Sequence, residues 1–201
     1  MKLRIPSKYY LLVIIMIICL AFFLIVKGQV VKNANYNLIR NKGNIDFVEQ
    51  IKSGLPIRIN IPQINVEALV EHVGLTSLGA MDVPKDARNV AWFDLGVRPG
   101  EIGSSVIDGH YGWKNNIPVV FDNLHKLKNG NKIYIEDDKG AKITFIVQEV
   151  KVFGKNEDAS RVFSSSDGKA HLNLITCGGV WDASKKAYSN RFVVFSNLEE
   201  L

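Results

Sequence analysis

Cys177 is the side chain in this sequence best suited to covalent chemistry. It ends the strand-like run His171–Cys177 and is followed directly by Gly178 and Gly179. A thiolate is a strong nucleophile, and a side chain at the end of a strand can face a cleft. The alternative is a buried free cysteine that acts as a small apolar side chain. If Cys177 is a nucleophile, it needs a base and a group that stabilises an oxyanion.

Four histidines could supply the base, and their positions favour His110. His171 shares a strand with Cys177, but six residues at about 3.3 Å each place the two roughly 20 Å apart. His72 lies in the middle of a strand-like run, and His125 is expected on the surface of a short helical pattern. His110 follows a strand-like run and has glycines on both sides, where the backbone can present an imidazole at a rim. A structural histidine is the alternative interpretation.

Arg191 could supply the oxyanion partner. It begins the last strand-like run, 14 residues after Cys177. A strand, a loop and a second strand form a hairpin, which would bring Arg191 back beside Cys177. A fixed guanidinium there could stabilise an oxyanion, whereas the alternative is a solvated arginine at the start of a strand.

A series of short β-like segments must position these three residues. The runs with alternating or β-branched residues are Pro56–Ile61, Val66–Val73, Ser104–Asp108, Lys132–Asp137, Lys142–Phe153, His171–Cys177 and Phe192–Asn197. Helical patterns are brief, at Val120–Leu127 and Glu157–Phe163. Seven or eight strands at this spacing predict an all-β barrel or sandwich, and residues 55–201 are enough to bury a core.

Residues 9–26 form an apolar run of 18 residues without a charge, a proline or a glycine. At about 1.5 Å per residue, a helix of this length spans roughly 27 Å, near the thickness of a bilayer core. A cleavable signal peptide would have a shorter apolar region and a small-x-small site, and a buried helix of a soluble core is a further alternative. We predict one transmembrane helix at 9–26, with Cys19 in lipid.

The net charge of +5 is unevenly distributed. Residues 1–54 carry eight Lys/Arg and two Asp/Glu, a net charge of +6, whereas residues 55–201 carry 17 and 18, a net charge of −1. The near-neutral domain argues against nucleic-acid binding. We predict a basic cytoplasmic tail at 1–8 and a polar stalk at 27–54. A short basic tail before a first apolar segment favours an extracytoplasmic domain, although basic residues flank the run on both sides.

The sequence predicts neither a metal site nor a cofactor. It contains no CxxC, no HExxH and no acidic cluster with EF-hand spacing. It also lacks a glycine-rich phosphate loop. The predicted chemistry therefore depends on side chains alone.

These residues together make the chain resemble the sortases, the membrane-anchored cysteine transpeptidases of Gram-positive bacteria. Leu174-Ile175-Thr176-Cys177 is similar to the Leu-x-Thr-Cys nucleophile motif of the family, and His110 and Arg191 match its histidine and arginine. The resemblance covers roughly residues 56–197. The segments that look most like class F, with classes D and E as alternatives, are Gly79–Pro84, Arg98–Glu101, Gly109-His110 and Ile175–Gly179.

The resemblance implies an eight-stranded sortase-type β-barrel with short helices and a two-step acyl transfer. Cys177 would attack the carbonyl after Thr in a Leu-Pro-x-Thr-Gly-like (LPxTG) sorting signal. A cell-wall precursor amine, or slowly water, would then resolve the thioester. His110 would act as acid and base, and Arg191 would hold the oxyanion or the substrate backbone. Thr176 and Trp181 would bind the substrate.

Two segments are expected to flank this site. Residues 154–170 would cover the sorting signal. Residues 178–190 would form a loop that holds Trp181 and Tyr188 as a wall for the incoming amine. No lid typical of the pilus-building sortases is recognisable before the domain.

Two other functions fit parts of the pattern. A different cysteine acyl-transfer enzyme of the cell wall, such as an L,D-transpeptidase-like cross-linker, would need a histidine beside the cysteine in sequence, and only His171 lies near Cys177. An anchored extracytoplasmic binding module with an inert cysteine is the non-enzymatic alternative.

Overall fold

The computed structural model describes residues 53–114, 117–154 and 157–200 of the 201-residue chain. The predicted tail, the predicted transmembrane helix and almost all of the predicted stalk lie outside these residues. No helix within the described ranges is long and apolar enough to cross a membrane. The strands in these ranges are β1 Pro56–Ile61, β2 Val66–Val73, β3 Val90–Phe93, β4 Gly103–Gly109, β5 Trp113–Lys114, β6 Ile117–Pro118, β7 Lys132–Asp137, β8 Lys142–Gly154, β9 Ala170–Asp182 and β10 Ala187–Leu198.

Eight of these strands close into a barrel in the order β1-β2-β3-β4-β9-β10-β8-β7. Most neighbours are antiparallel, but β2 pairs with β3, and β4 with β9, in parallel. The short strands β5 and β6 form a separate hairpin. The predicted all-β, eight-stranded barrel with short helices is therefore confirmed.

The barrel interior is filled by the apolar side chains that alternate along the strands. Ile59, Ile107, Ile133, Leu174 and Val194 are fully buried there. Successive strand residues point to opposite faces, so the neighbours of these inward residues point out of the barrel. Ile107 and Leu174 point inward on paired strands, and the residues that follow them face outward together.

A second apolar cluster lies on the outer face of β4, β9, β10 and β8. Val106, Phe153 and Val193 belong to it, together with Val162 from the four-residue helix α1, Ser160–Phe163. Ile175 packs against this cluster. The outer face of these strands therefore has an apolar floor that α1 partly covers.

The elements differ from the sequence predictions mainly in length. β1, β2 and β7 have the predicted bounds, whereas β9 and β10 extend well beyond the predicted runs. The helical pattern at 120–127 yields only a 3-10 turn at Leu124–Lys126, and the pattern at 157–163 yields only α1. β3 was not predicted, because its four residues are almost all buried and show no alternation.

Candidate active site

Cys177 and Arg191 are direct neighbours across two strands. In the antiparallel pair of β9 and β10, Arg191 is the register partner of Cys177. The predicted hairpin is therefore confirmed, although Arg191 lies within β10 and not at its start. Cross-strand partners point to the same face, so the guanidinium and the thiol share one side of the sheet.

His110 reaches the same place from β4. Asp108 of β4 is the register partner of Ile175 on the parallel strand β9. Two residues after each of these partners, His110 is therefore level with Cys177. A buried hydrogen bond fixes this alignment, because the Thr176 hydroxyl donates to the Gly109 carbonyl at 2.6 Å. The three predicted site residues are therefore brought together where β4 ends beside the middle of β9 and β10.

The imidazole of His110 is held by a backbone carbonyl. Its Nε2 lies 2.8 Å from the carbonyl oxygen of Pro84, in the loop between β2 and β3. A carbonyl can only accept a hydrogen bond, so Nε2 carries the hydrogen. In the neutral ring Nδ1 is then unprotonated, and it is the nitrogen that can accept a proton.

The thiol of Cys177 is half-buried, and its charge state reflects three influences. Burial raises its pKa above the ordinary value, the positive charge of Arg191 lowers it, and the negative charge of Asp108 raises it. The net shift is upward, so the thiolate is the minor form at neutral pH. The site therefore contains a nucleophile with a nearby cation and a nearby acid.

Asp108 is a site residue that the sequence analysis did not single out. It lies on the outer face beside Ile175, among apolar neighbours. Burial raises its pKa to about 7, although Arg191 and a hydrogen bond from the backbone N–H of Gly109 oppose that shift. Strand alternation could have indicated it, because a residue two positions before His110 faces the same side.

Gly109 and Gly178, which adjoin His110 and Cys177, allow aromatic rings to pack closely against the backbone. A Cβ atom on Gly109 would collide with the ring of Phe121, and one on Gly178 would collide with the ring of Phe192. The predicted loop at residues 178–190 was wrong, because β9 continues through both glycines after Cys177 to Asp182 and β10 begins at Ala187. A close approach between backbone and aromatic ring explains why only glycine fits at these two positions.

The two predicted substrate-binding residues have different surroundings. Thr176 is fully buried, and its hydroxyl bonds to Gly109, the last residue of β4 and the one before His110. Its role with the substrate stays a prediction. A buried side chain such as this one would support the substrate through the residues around it and not by direct contact. Trp181 was expected in a loop, but it lies in β9, is 51% exposed and packs edge-on against Tyr188 at 5.0 Å between ring centroids.

The remaining histidines lie in other environments. His171 bonds to the Asp167 carboxylate at 2.9 Å and to the Asn197 side chain at 2.8 Å. His72 and His125 are both exposed. Within the described parts of the chain, no three His, Cys, Asp or Glu side chains form a group that could hold a metal ion.

The chain is similar to a known protein family and to several solved structures. The family model described as the sortase domain matches residues 59–199. The structure is similar to sortase A from Corynebacterium diphtheriae (a lid mutant), with 23% identity, a TM-score of 0.56, and 77% of this chain and 75% of that chain covered. It is also similar to sortase C-1 from Actinomyces oris, with 25% identity, a TM-score of 0.55 and coverage of 73% and 76%. For a sortase D5 transpeptidase from Clostridium perfringens, the values are 23%, 0.53, and 80% and 89%. A search of curated proteins finds no significant match.

Proposed function

The chain belongs to the sortase family of cysteine transpeptidases, and from this premise we propose that it cleaves an LPxTG-like sorting signal after Thr. The new carboxyl end of the surface protein is then transferred to a cell-wall amine. The observation that carries the proposal is the strand register that places Cys177 opposite Arg191 and level with His110. Membership of class F, with D and E as alternatives, stays a prediction.

Acylation begins at the thiolate of Cys177. Its sulfur attacks the carbonyl carbon of the signal's Thr, and the resulting tetrahedral intermediate carries the negative charge on oxygen. The C–N bond to the next residue then breaks, and a thioester remains on Cys177. The raised pKa of the thiol means that a small fraction of the enzyme is reactive at neutral pH.

His110 moves the protons of both steps. As an imidazolium it donates the Nδ1 proton to the departing amine, which cannot leave as an anion. The neutral ring then accepts a proton from the incoming amine as that amine attacks the thioester. The Pro84 carbonyl holds Nε2–H throughout.

Arg191 supplies the positive charge for the intermediate. It is the cross-strand neighbour of Cys177, and it lowers the pKa of that thiol. Its exposed guanidinium donates from Nη1 to the Asn190 carbonyl and keeps further N–H donors for an oxyanion or for the substrate backbone. Such a donor stabilises charge that develops only during the reaction.

The proposal includes the cell location. A transmembrane helix at 9–26 would hold the catalytic domain on the extracytoplasmic face, where surface proteins and cell-wall precursors meet. The partners are then LPxTG-type surface proteins and a cell-wall precursor amine, and water is a slow alternative acceptor that gives hydrolysis.

A peptide library tests the reaction class and the signal together. The protein is incubated with Leu-Pro-x-Thr-Gly peptides that vary at each position, together with a glycine-based amine, and the products are identified by mass spectrometry. The expected product is the peptide cut after Thr and joined to the amine. Cleavage at other bonds, or no product from any library member, would contradict the proposal.

A further inference from the structure

Glu71 lies on β2, away from the three residues that do the chemistry, yet the hydrogen bonds around it lead to His110. Its two carboxylate oxygens accept three hydrogen bonds from the loop between β2 and β3. Oε2 accepts from the backbone N–H of Lys85 at 2.9 Å. Oε1 accepts from the backbone N–H of Asp86 at 3.2 Å and from the side-chain amide of Asn89 at 2.9 Å.

The first of these bonds is directly connected to the catalytic histidine. The N–H of Lys85 and the carbonyl of Pro84 belong to the same peptide unit. That carbonyl accepts the hydrogen bond from Nε2 of His110 at 2.8 Å. One peptide therefore joins the carboxylate of Glu71 to the imidazole of His110.

The geometry of a peptide makes this connection rigid. A trans peptide is planar, and its N–H and C=O point in opposite directions, so fixing one end fixes the direction of the other. No cis peptide occurs in the described residues. A hydrogen bond to a charged acceptor also polarises the peptide and strengthens the bond that its carbonyl accepts.

The charge state of Glu71 fits this connection. Burial raises its pKa, but the hydrogen bonds from Lys85, Asn89 and Asp86 outweigh that effect and hold the pKa below its usual value. The group is therefore an anion at neutral pH. An ionised carboxylate only accepts hydrogen bonds, as all three of these contacts require.

We propose that Glu71 is a positioning residue for catalysis, which orients the His110 imidazole through the peptide unit between Pro84 and Lys85. This inference rests on the proposed acid–base role of His110. In this arrangement the carboxylate, the peptide and the imidazole form one chain of hydrogen bonds. This series of hydrogen bonds keeps the hydrogen on Nε2 of His110 and leaves Nδ1 for proton transfer.

The test separates positioning of the acid from a general effect on folding. In Glu71→Gln the side chain keeps its shape, but its amide nitrogen cannot accept a hydrogen bond, so at least one of the loop bonds is lost. Acylation is measured with two substrates of the same LPxTG sequence. One has the natural amide after Thr, and the other has a thioester, whose thiolate leaves without being protonated.

Glu71→Gln should slow acylation by the amide substrate about 10- to 100-fold, because part of a general-acid contribution is lost. Acylation by the thioester substrate should change less than threefold. His110→Ala should show the same selective loss and calibrates its size. Glu67→Gln is the matched control, since Glu67 lies on the same strand and its carboxylate pairs with the exposed Arg58 on β1.

The outcomes of this experiment either support or contradict the positioning role of Glu71. Selective loss with the amide substrate in Glu71→Gln, and none in Glu67→Gln, supports the positioning role. Equal losses with both substrates, or no loss with either, would overturn it. If the wild-type protein acylates with neither substrate, the proposed function itself fails. Nitrogen-15 NMR of the His110 ring is a second readout, and ring nitrogen signals that Glu71→Gln leaves entirely unchanged would also contradict the proposal.

Discussion

Arg191 lies directly opposite Cys177 in the antiparallel pair of β9 and β10, and both side chains point to the outer face of the barrel. This placement follows from the hydrogen-bond register of two long strands, so it is a rigid feature of the fold. The arginine can therefore meet a developing oxyanion without a loop movement. A preorganised donor of this kind costs little reorganisation during the reaction.

Arg191→Ala should lower kcat/KM for transpeptidation on the order of 100-fold, because the oxyanion loses a charged donor. Arg191→Lys should not restore the activity, since an ammonium lacks the planar fork of the guanidinium. Steady-state kinetics with an LPxTG peptide measures both. Near-normal turnover in the lysine variant would contradict the assigned role. Arg58→Ala is a suitable control, as Arg58 lies on β1 and pairs with Glu67 and Glu136 on the surface.

Asp108→Asn should make Cys177 more reactive above pH 7 but not below pH 6. Asp108 has a pKa of about 7, so it becomes an anion as the pH rises through 7, and this charge raises the pKa of Cys177. The variant lacks that charge, and its thiol should be alkylated about threefold faster at pH 8.

The rate of Cys177 alkylation by iodoacetamide between pH 5.5 and 8.5 measures this effect. The two curves should coincide at the acidic end and separate on the alkaline side. A constant ratio across the range would mean that Asp108 acts on the thiol by shape and not by charge. Glu136→Gln, which changes a carboxyl that lies near Arg58 on the β1–β7 pair, serves as the control.

The sequence predicted the strands best where alternation was regular. β1, β2 and β7 show buried residues at every second or third position, and their bounds matched the prediction. β3 is buried on both faces, so its residues show no period. The extension of β9 could not be anticipated from Gly178, which by its residue type suggests a turn. A glycine is needed there because a Cβ atom would collide with the ring of Phe192, and this contact is not visible in the sequence.

The site was predictable in its three principal residues but not in their supports. Cys177, His110 and Arg191 could be chosen from residue type, strand position and hairpin spacing. The contact between His110 and Pro84 joins residues 26 positions apart, and Glu71 accepts a hydrogen bond from the loop that carries Pro84. Such contacts depend on how a 16-residue connection folds over the sheet, which local patterns do not encode.

Thr176→Val should destabilise the domain and reduce activity. The Gly109 carbonyl would lose its hydrogen bond from Thr176 at a fully buried site, which costs about 1–3 kcal/mol. Thr176→Ser keeps the hydroxyl and should retain most of the activity. Urea unfolding and peptide kinetics measure the two effects. Equal stability of the valine variant and the wild-type protein would show that this bond does not hold the two strands together.

The most direct test of the central claim is the mass of the acyl-enzyme. The protein is incubated with an LPxTG peptide without an amine, quenched with acid and digested, and the modified residue is located by mass spectrometry. The account predicts the peptide, cut after Thr, as a thioester on Cys177 in the wild-type protein and in Cys19→Ala, and no adduct in Cys177→Ala. An adduct on another residue, or an unchanged adduct in Cys177→Ala, would contradict it.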